Sequence, residues 1–215
     1  MEEAASIPLV GLTAWQALIE KAKLKKGQKI LIHAGSGGVG TFAIQLAKHV
    51  GATVATTTST ANIDLVRRLG ADIVIDYKKD HFEEILRDCD VVLNSLDGGT
   101  LKKSLRVVKP GGILISISGP PDPEFARDLG LSRILELVMR LLSFRIRRQA
   151  KRHQVNYSFL FIRASGDQLR QIGSLIEAGA VRPVLDRVFP FESTKEAMAY
   201  VEKGRAKGKV VVKVR

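Results

Sequence analysis

One cysteine, Cys89, serves the whole chain of 215 residues. An internal disulfide and a cysteine-based metal cluster are thereby excluded, and a reducing compartment is the default. No apolar run approaches the roughly 18 to 20 residues of a helical membrane span, which speaks against residence in a membrane. The opening "MEEAASIPLV" is acidic and lacks the basic stretch of a secretion signal, so export is not expected and a cytoplasmic location is. Internal repeats and low-complexity tracts are also missing. The one clear interruption is a proline-rich link at Pro120, Pro121 and Pro123.

What is present is an ordinary globular composition, 45% hydrophobic and 26% charged, in a chain long enough to bury a sizeable core. The net charge of +12 favours an anionic partner such as a nucleotide, a nucleic acid or an acidic membrane. It is unevenly placed. Between Arg133 and Arg152 stand Arg133, Arg140, Arg145, Arg147, Arg148, Lys151 and Arg152, opposed by Glu136 alone, so half the net charge lies in one segment.

The first segment, "GLTAWQALIEKAKL", reads as a helix closing near Gly27. Short β-branched runs then alternate with helical spacing: "KILIHA", "VGTFAIQLAKHVG", "ATVATTT", "IDLVRRLG", "DIVIDY", "HFEEILRD", "DVVLNSL", "GTLKKSLRVV" and "GGILISIS". Strand runs of four to six apolar residues without in-out alternation imply a sheet covered on both faces. The expected fold class is α/β with a doubly wound parallel sheet. After "SGPPDPE" a long helical stretch is expected from Leu131 to about Arg152. A strand "YSFLFIRA", a helix "GDQLRQIGSLIEAG", a strand "VRPVLDRVF", a helix "STKEAMAYVEKG" and a last strand "KVVVKV" follow.

"GSGGVG" places Gly35, Gly37 and Gly40 as G-x-G-x-x-G between a strand and a helix. In that setting Gly35 permits the tight turn, Gly37 lets a pyrophosphate reach the backbone, and Gly40 lets the helix pack on the strand. Backbone N–H groups from Ser36 through Gly38 and Val39, with the helix dipole, then hold the phosphates. The second strand ends in "ATTTSTAN", Ala55 to Asn62, with no acid before Asp64. A carboxylate there would repel a 2′-phosphate, whereas Thr58, Ser59 and Asn62 offer hydrogen-bond donors; NADP is favoured, with Lys78 or Arg67 as the source of counter-charge.

"GLTAW" (Gly11 to Trp15), "GSGGVG", "LGADIVIDY" (Leu69 to Tyr77), "VKPGGILISI" (Val108 to Ile117) and "GRAKGKVVVKV" (Gly204 to Val214) together resemble the medium-chain dehydrogenase/reductase superfamily, in its zinc-independent, quinone oxidoreductase-like branch. The resemblance implies a Rossmann-type sheet of strand order 3-2-1-4-5-6. It also implies Tyr77 beside the adenosine 2′-phosphate and Thr13 near the nicotinamide. Asn94, the backbone around Ser116 and Ser118 up to Gly119, and Phe159 and Phe161 in the stretch to Ile162 would flank the nicotinamide pocket. Full-length members begin with a GroES-like catalytic domain, and this chain opens at the helix that follows it. The expected organisation is therefore a dinucleotide-binding domain over residues 1–183 and a segment 184–215 that would return to that catalytic domain, leaving the isolated chain inactive.

A zinc-dependent relative would carry a cysteine where this chain has Leu9, and a leucine cannot ligate a metal. His33, His49, His81 and His153 lack ligand spacing; His33, at the end of the first strand, is read as a hydrogen-bonded structural residue. The implied chemistry rests on positioning: hydride passes from NADPH to a quinone or to the β-carbon of an enone, and no catalytic residue and no metal ligand is assigned.

The edge strand is expected to pair with its copy in a homodimer through Tyr157 to Ala164. The apolar residues Leu131, Ile134, Leu135, Val138, Leu141 and Leu142 recur at helical spacing beside the basic residues. The expectation is a packed helix with a basic solvated face, without membrane or nucleic-acid binding. The alternative is a non-catalytic dinucleotide-binding scaffold or sensor that docks an anionic membrane or a protein partner through that helix.

Overall fold

The computed structural model describes residues 1–214. Helix α1 (Glu2–Trp15) runs on into a π-helical turn at Gln16–Lys21, beginning well before Gly11, where the sequence reading placed it. Strand β1 (Lys29–Ile32) leads through the glycine turn to α2 (Gly38–Val50), which Gly51 ends in the left-handed conformation at φ +87°. The alternation continues with β2 (Thr53–Thr58), α3 (Ile63–Arg68), β3 (Ile73–Asp76), α4 (Phe82–Ile85), β4 (Cys89–Asn94), α5 (Gly98–Ser104) and β5 (Val108–Ser116). Next come α6 (Pro123–Asp128), α7 (Arg133–Leu142), α8 (Phe144–Arg152), β6 (Asn156–Phe159) and α9 (Gly166–Glu177). The chain closes with β7 (Leu185–Pro190), α10 (Thr194–Glu202) and β8 (Lys209–Lys213).

The main sheet is parallel throughout, in the order β3-β2-β1-β4-β5-β6. The doubly wound α/β fold and the order 3-2-1-4-5-6 expected from the sequence are both present. Apolar clusters fill the two faces: Ile30, Ile32, Val54, Val91 and Leu93 pack toward α1, α2 and α9, whereas Leu31, Ala55, Val92 and Leu114 pack toward Phe82, Leu101 and Ile146. Burial on both sides explains why these strands read as continuous apolar runs.

Three expectations give way. The long helix is interrupted at Ser143, whose buried hydroxyl and N–H both go to the Met139 carbonyl, at 2.7 and 3.0 Å, so that α7 ends there and α8 begins at Phe144. Nor is α7 packed with a basic face outward: none of its residues is buried, and its apolar stripe is exposed. The strand expected over "YSFLFIRA" is only four residues long, Asn156–Phe159. Beyond it, Gln16 captures the backbone of Arg163, accepting from its N–H at 3.0 Å and donating to its carbonyl at 2.7 Å, which draws the chain off the sheet and onto the π-helical turn.

Segment 184–215 contains β7 and β8, which pair in parallel with each other as a small second sheet. That sheet packs on α1 and reaches the glycine turn, where the Gly208 N–H donates to the Ser36 carbonyl at 2.8 Å. Val211 is the one buried residue of these two strands, and Val188, Phe191, Met198 and Val201 of the segment stay exposed.

Candidate dinucleotide-binding site

In this strand order the chain reverses direction between β1 and β4, and the crevice beyond their carboxyl ends is where open α/β sheets take ligands. The glycine turn sits at that crevice. Ala34 opens it in the left-handed region at φ +51°, held there by its N–H to the Thr57 hydroxyl (3.2 Å) and by the Gly37 N–H to its own carbonyl (2.9 Å). A non-glycine residue in that conformation is strained, and the surrounding hydrogen bonds maintain it.

Each glycine excludes a side chain for its own reason. A Cβ on Gly35 would strike the Thr56 hydroxyl on β2, and one on Gly40 would lie 2.7 Å from the Gly35 Cα, so α2 sits directly against the turn. Gly38 is pressed by Lys209 of β8, whose Cδ would stand 2.8 Å from an added Cβ. Gly37 differs: the nearest atom to its Cβ is the Ala34 carbonyl oxygen at 3.3 Å, and the space around it is otherwise open. The N–H groups of the first turn of α2, from Gly38 and Val39 to Gly40, have no partners within the helix, which suits an anion.

On one side of the turn Ser36, Thr58, Ser59 and Asn62 form a polar cluster. The Thr58 hydroxyl donates to Ser36 Oγ at 3.1 Å, and Asn62 Nδ2 donates to Ser36 Oγ at 3.0 Å and to Ser59 Oγ at 3.2 Å. Asn62 Oδ1 is buried and lacks a partner among the described residues. Next to it Thr60 donates to Asp76 at the end of β3, and the Lys78 N–H donates to the same carboxylate at 3.1 Å. The Thr60 bond, then the Lys78 N–H and the charges of Lys79 and Lys78, hold the Asp76 carboxyl below the usual range. The sequence reading overlooked Asp76 because it searched β2; the register Thr58 opposite Asp76 brings it to the slot. Tyr77 follows it, 61% exposed.

On the other side Asn94 Nδ2 donates to the Leu96 carbonyl at 3.1 Å and more weakly to Ser116 Oγ at 3.4 Å, and Asn94 Oδ1 is again buried without a partner. Ser118 Oγ donates to the Leu96 carbonyl, and Ser116 Oγ accepts the Gly119 N–H at 2.9 Å. Unpartnered buried acceptors are uncommon in folded proteins, and here two of them belong to the amides that flank the glycine turn. Residues, turn and orphan atoms fit a dinucleotide.

The other residues singled out in the sequence make contacts of their own, and Phe159 stands opposite Ser116 in the sheet register. Thr13 is buried in α1 with its hydroxyl donated to the Leu9 carbonyl at 2.7 Å. Phe159 and Phe161 group with Phe125 of α6 beside a groove of about 1020 Å³ along β6. His33 is the structural residue the sequence suggested: its ring spans Thr57 Oγ1 (3.1 Å) and Ser104 Oγ (2.9 Å), meets Phe82 edge-on, and burial pushes its pKa down to about 4. Three parts of the turn's surroundings were missed: Ala34, the Thr60–Asp76 pair, and the Gly208–Lys209 buttress. Only Asp76, inside the quoted "DIVIDY", carried a signal that could have been read.

The family model described as zinc-binding dehydrogenase matches residues 69–212. Among the described residues no three of His, Cys, Asp or Glu converge as metal ligands would. The NAD(P)H oxidoreductase RTN4IP1, mitochondrial, of Danio rerio is 38% identical over 99% of this chain and 57% of its own length. The NADPH-dependent alkenal/one oxidoreductase, chloroplastic, of Arabidopsis thaliana is 36% identical over 98% of this chain and 46% of its own length. The solved quinone oxidoreductase from Coxiella burnetii superimposes with a TM-score of 0.82 at 32% identity, over 98% of this chain and 60% of that one. The chain spans about half the length of these relatives. Fold, glycine turn and relatives agree that it belongs to the medium-chain dehydrogenase/reductase superfamily, in the zinc-independent, quinone oxidoreductase-like branch, and corresponds to its dinucleotide-binding part.

Proposed function

We propose that this chain binds NADP(H) across the β1/β4 crevice and serves the reduction of a quinone or an enone without zinc. The observation that carries the reading is the glycine turn flanked by two amides, Asn62 and Asn94, each with a buried acceptor that has no partner among the described residues. Backbone N–H groups of Ser36 and of Gly38 to Gly40 would hold the pyrophosphate, with Gly37 leaving it room. Ser36, Thr58, Ser59 and Asn62 would meet the adenosine ribose, and a 2′-phosphate there would need the charges of Lys78 and Lys79 to offset the Asp76 carboxylate that the register brings to the slot. Asn94, Ser116 and Ser118 would orient the nicotinamide end. Bound, the dinucleotide supplies the hydride, to the β-carbon of an enone or to a quinone. The chain's own residues bind and orient, and none is positioned as a general acid or base.

A homodimer through Tyr157 to Ala164 belongs to the same reading. β6 pairs only with β5 among the described residues, which leaves the outer edge at Tyr157 for a second copy, beside Phe159, whose N–H goes to Asp122, and Arg163, whose backbone groups go to Gln16. A doubled mass in light scattering is the expected result, and the mass of a single chain at tens of micromolar would refute it.

The primary test is a calorimetric titration with NADPH and, separately, NADH. Tighter binding of NADPH supports the whole assignment. Equal binding leaves a dinucleotide site and removes the preference for NADP. Binding of neither defeats the reading for this chain.

A further inference from the structure

Helix α7 turns its wrong side to water. Leu131, just ahead of it, and Ile134, Leu135, Val138, Leu141 and Leu142 within it form one stripe at i, i+3, i+4 and i+7 spacing, and an amphipathic helix in a globular protein faces such a stripe to the core. Here every member is exposed, Ile134 at 75%, Leu141 at 68% and Leu142 at 60%. The side turned inward holds Met139 and a charged residue, Glu136, which accepts from Arg127 of α6 at 2.9 Å and pairs with Arg140 at 3.5 Å. α8 adds cations. It buries Ile146 and Ala150, while Arg145, Arg148 and Arg152 remain exposed; Arg147 and Lys151, exposed too, line the groove along β6, and among the described residues none of the five has an ion-pair partner.

We propose that α7 and α8 form an interfacial anchor that seats the chain on an anionic phospholipid bilayer, the stripe of α7 entering the boundary between headgroups and acyl chains and the cations of α8 meeting the headgroups. Ten residues of helix are about 15 Å long, too short to cross a bilayer but sufficient to lie in its plane. The charge pattern selects this occupant. A symmetric contact with a second copy would bring like surface against like and set the unpaired cations of α8 near their own duplicates, whereas an anionic headgroup layer neutralises them all. The proposal does not depend on the dinucleotide site, and its test uses no cofactor.

The test is sedimentation of the full chain with vesicles of phosphatidylcholine containing about 30% phosphatidylglycerol, against phosphatidylcholine alone, in about 0.1 M salt. Partition onto the anionic vesicles is expected to exceed that onto the neutral ones at least about tenfold. Each basic residue near an anionic surface is worth about fivefold, so the triple substitution R145Q/R148Q/R152Q should weaken partition roughly a hundredfold. I134Q/L141Q removes two apolar side chains from the interface and should weaken it by a similar factor or more. All five positions are exposed, so both variants should melt within a few degrees of the parent, which checks their folding. Failure to sediment with anionic vesicles overturns the proposal, as does sedimentation that I134Q/L141Q leaves unchanged. A mass in light scattering that I134Q/L141Q halves would assign the stripe to a second copy and overturn it equally.

Discussion

The glycine turn can be probed so that its two duties separate. In Gly40→Ala the new Cβ would lie 2.7 Å from the Gly35 Cα and 2.9 Å from its carbonyl carbon, both backbone, so α2 must move off the turn. Overpacking of this kind costs about 1–3 kcal/mol, and the displaced helix no longer presents its N–H groups. Gly37→Ala is the opposite case. Gly37 is extended at φ −79°, ψ 171°, which any residue adopts, and its Cβ meets only the Ala34 carbonyl oxygen at 3.3 Å. The loss of stability should be about 1 kcal/mol or less, the cost of placing alanine at an N-cap. A methyl group there nevertheless occupies the space a pyrophosphate needs, and NADPH affinity should fall at least about tenfold, or about 1.4 kcal/mol. Urea denaturation reads the first quantity and calorimetric titration the second. Wild-type affinity in Gly37→Ala would refute the claim that phosphates approach this turn; unchanged stability in Gly40→Ala would refute the claim that close packing is what Gly40 serves.

Three further outcomes follow from the geometry. His33 is held neutral in the fold, with a pKa of about 4 against about 6.5 when unfolded, so its contribution is complete above pH 6.5 and is lost as pH falls toward 4 because the unfolded chain binds the proton first. The unfolding free energy from urea melts should fall by up to about 3 kcal/mol across that window, and His33→Gln, less stable at neutral pH, should flatten the dependence; an equal slope in the variant would refute this. Asp122 is buried and accepts N–H bonds from Phe125 at 2.9 Å and Phe159 at 2.8 Å, tying α6 to β6, so Asp122→Ala should cost about 2–3 kcal/mol in a thermal or urea melt. Gly208 stands at φ +76° with the Val184 carbonyl against its missing side chain. Gly208→Ala should therefore speed amide exchange in β8 while β1 and β4 stay protected, and exchange unchanged in β8 would refute the buttress.

Much of this molecule was legible because its sheet is parallel and covered on both faces. Runs such as "KILI" and "VVL" have to be buried strands when helical spacing follows each one, and the glycine spacing then locates the switch point. The limits of the sequence reading fall where a contact is made by residues distant in the chain. "YSFLFIRA" has the composition of a full strand, yet Gln16, 147 residues earlier, takes both backbone groups of Arg163 and ends the pairing at Phe159. Asp76 could be read as an acid at a strand end, but its place beside the β2 slot was missed because cross-strand register, not spacing along the chain, sets it opposite Thr58. The Gly208 contact with Ser36 was hidden for the same reason.

Periodicity fails in a different way at α7. The spacing from Leu131 to Leu142 correctly predicts a helix with one apolar stripe, but a period carries no sign: it says that a stripe exists and not whether it faces inward. The side turned toward the protein holds Met139 and Glu136, whose partner, Arg127, lies on α6. An ion pair this exposed adds little stability, so it does not by itself overcome the cost of an exposed stripe. Something else must make that orientation tolerable, and a surface that takes up the stripe of α7 and the cations of α8 together satisfies both demands at once.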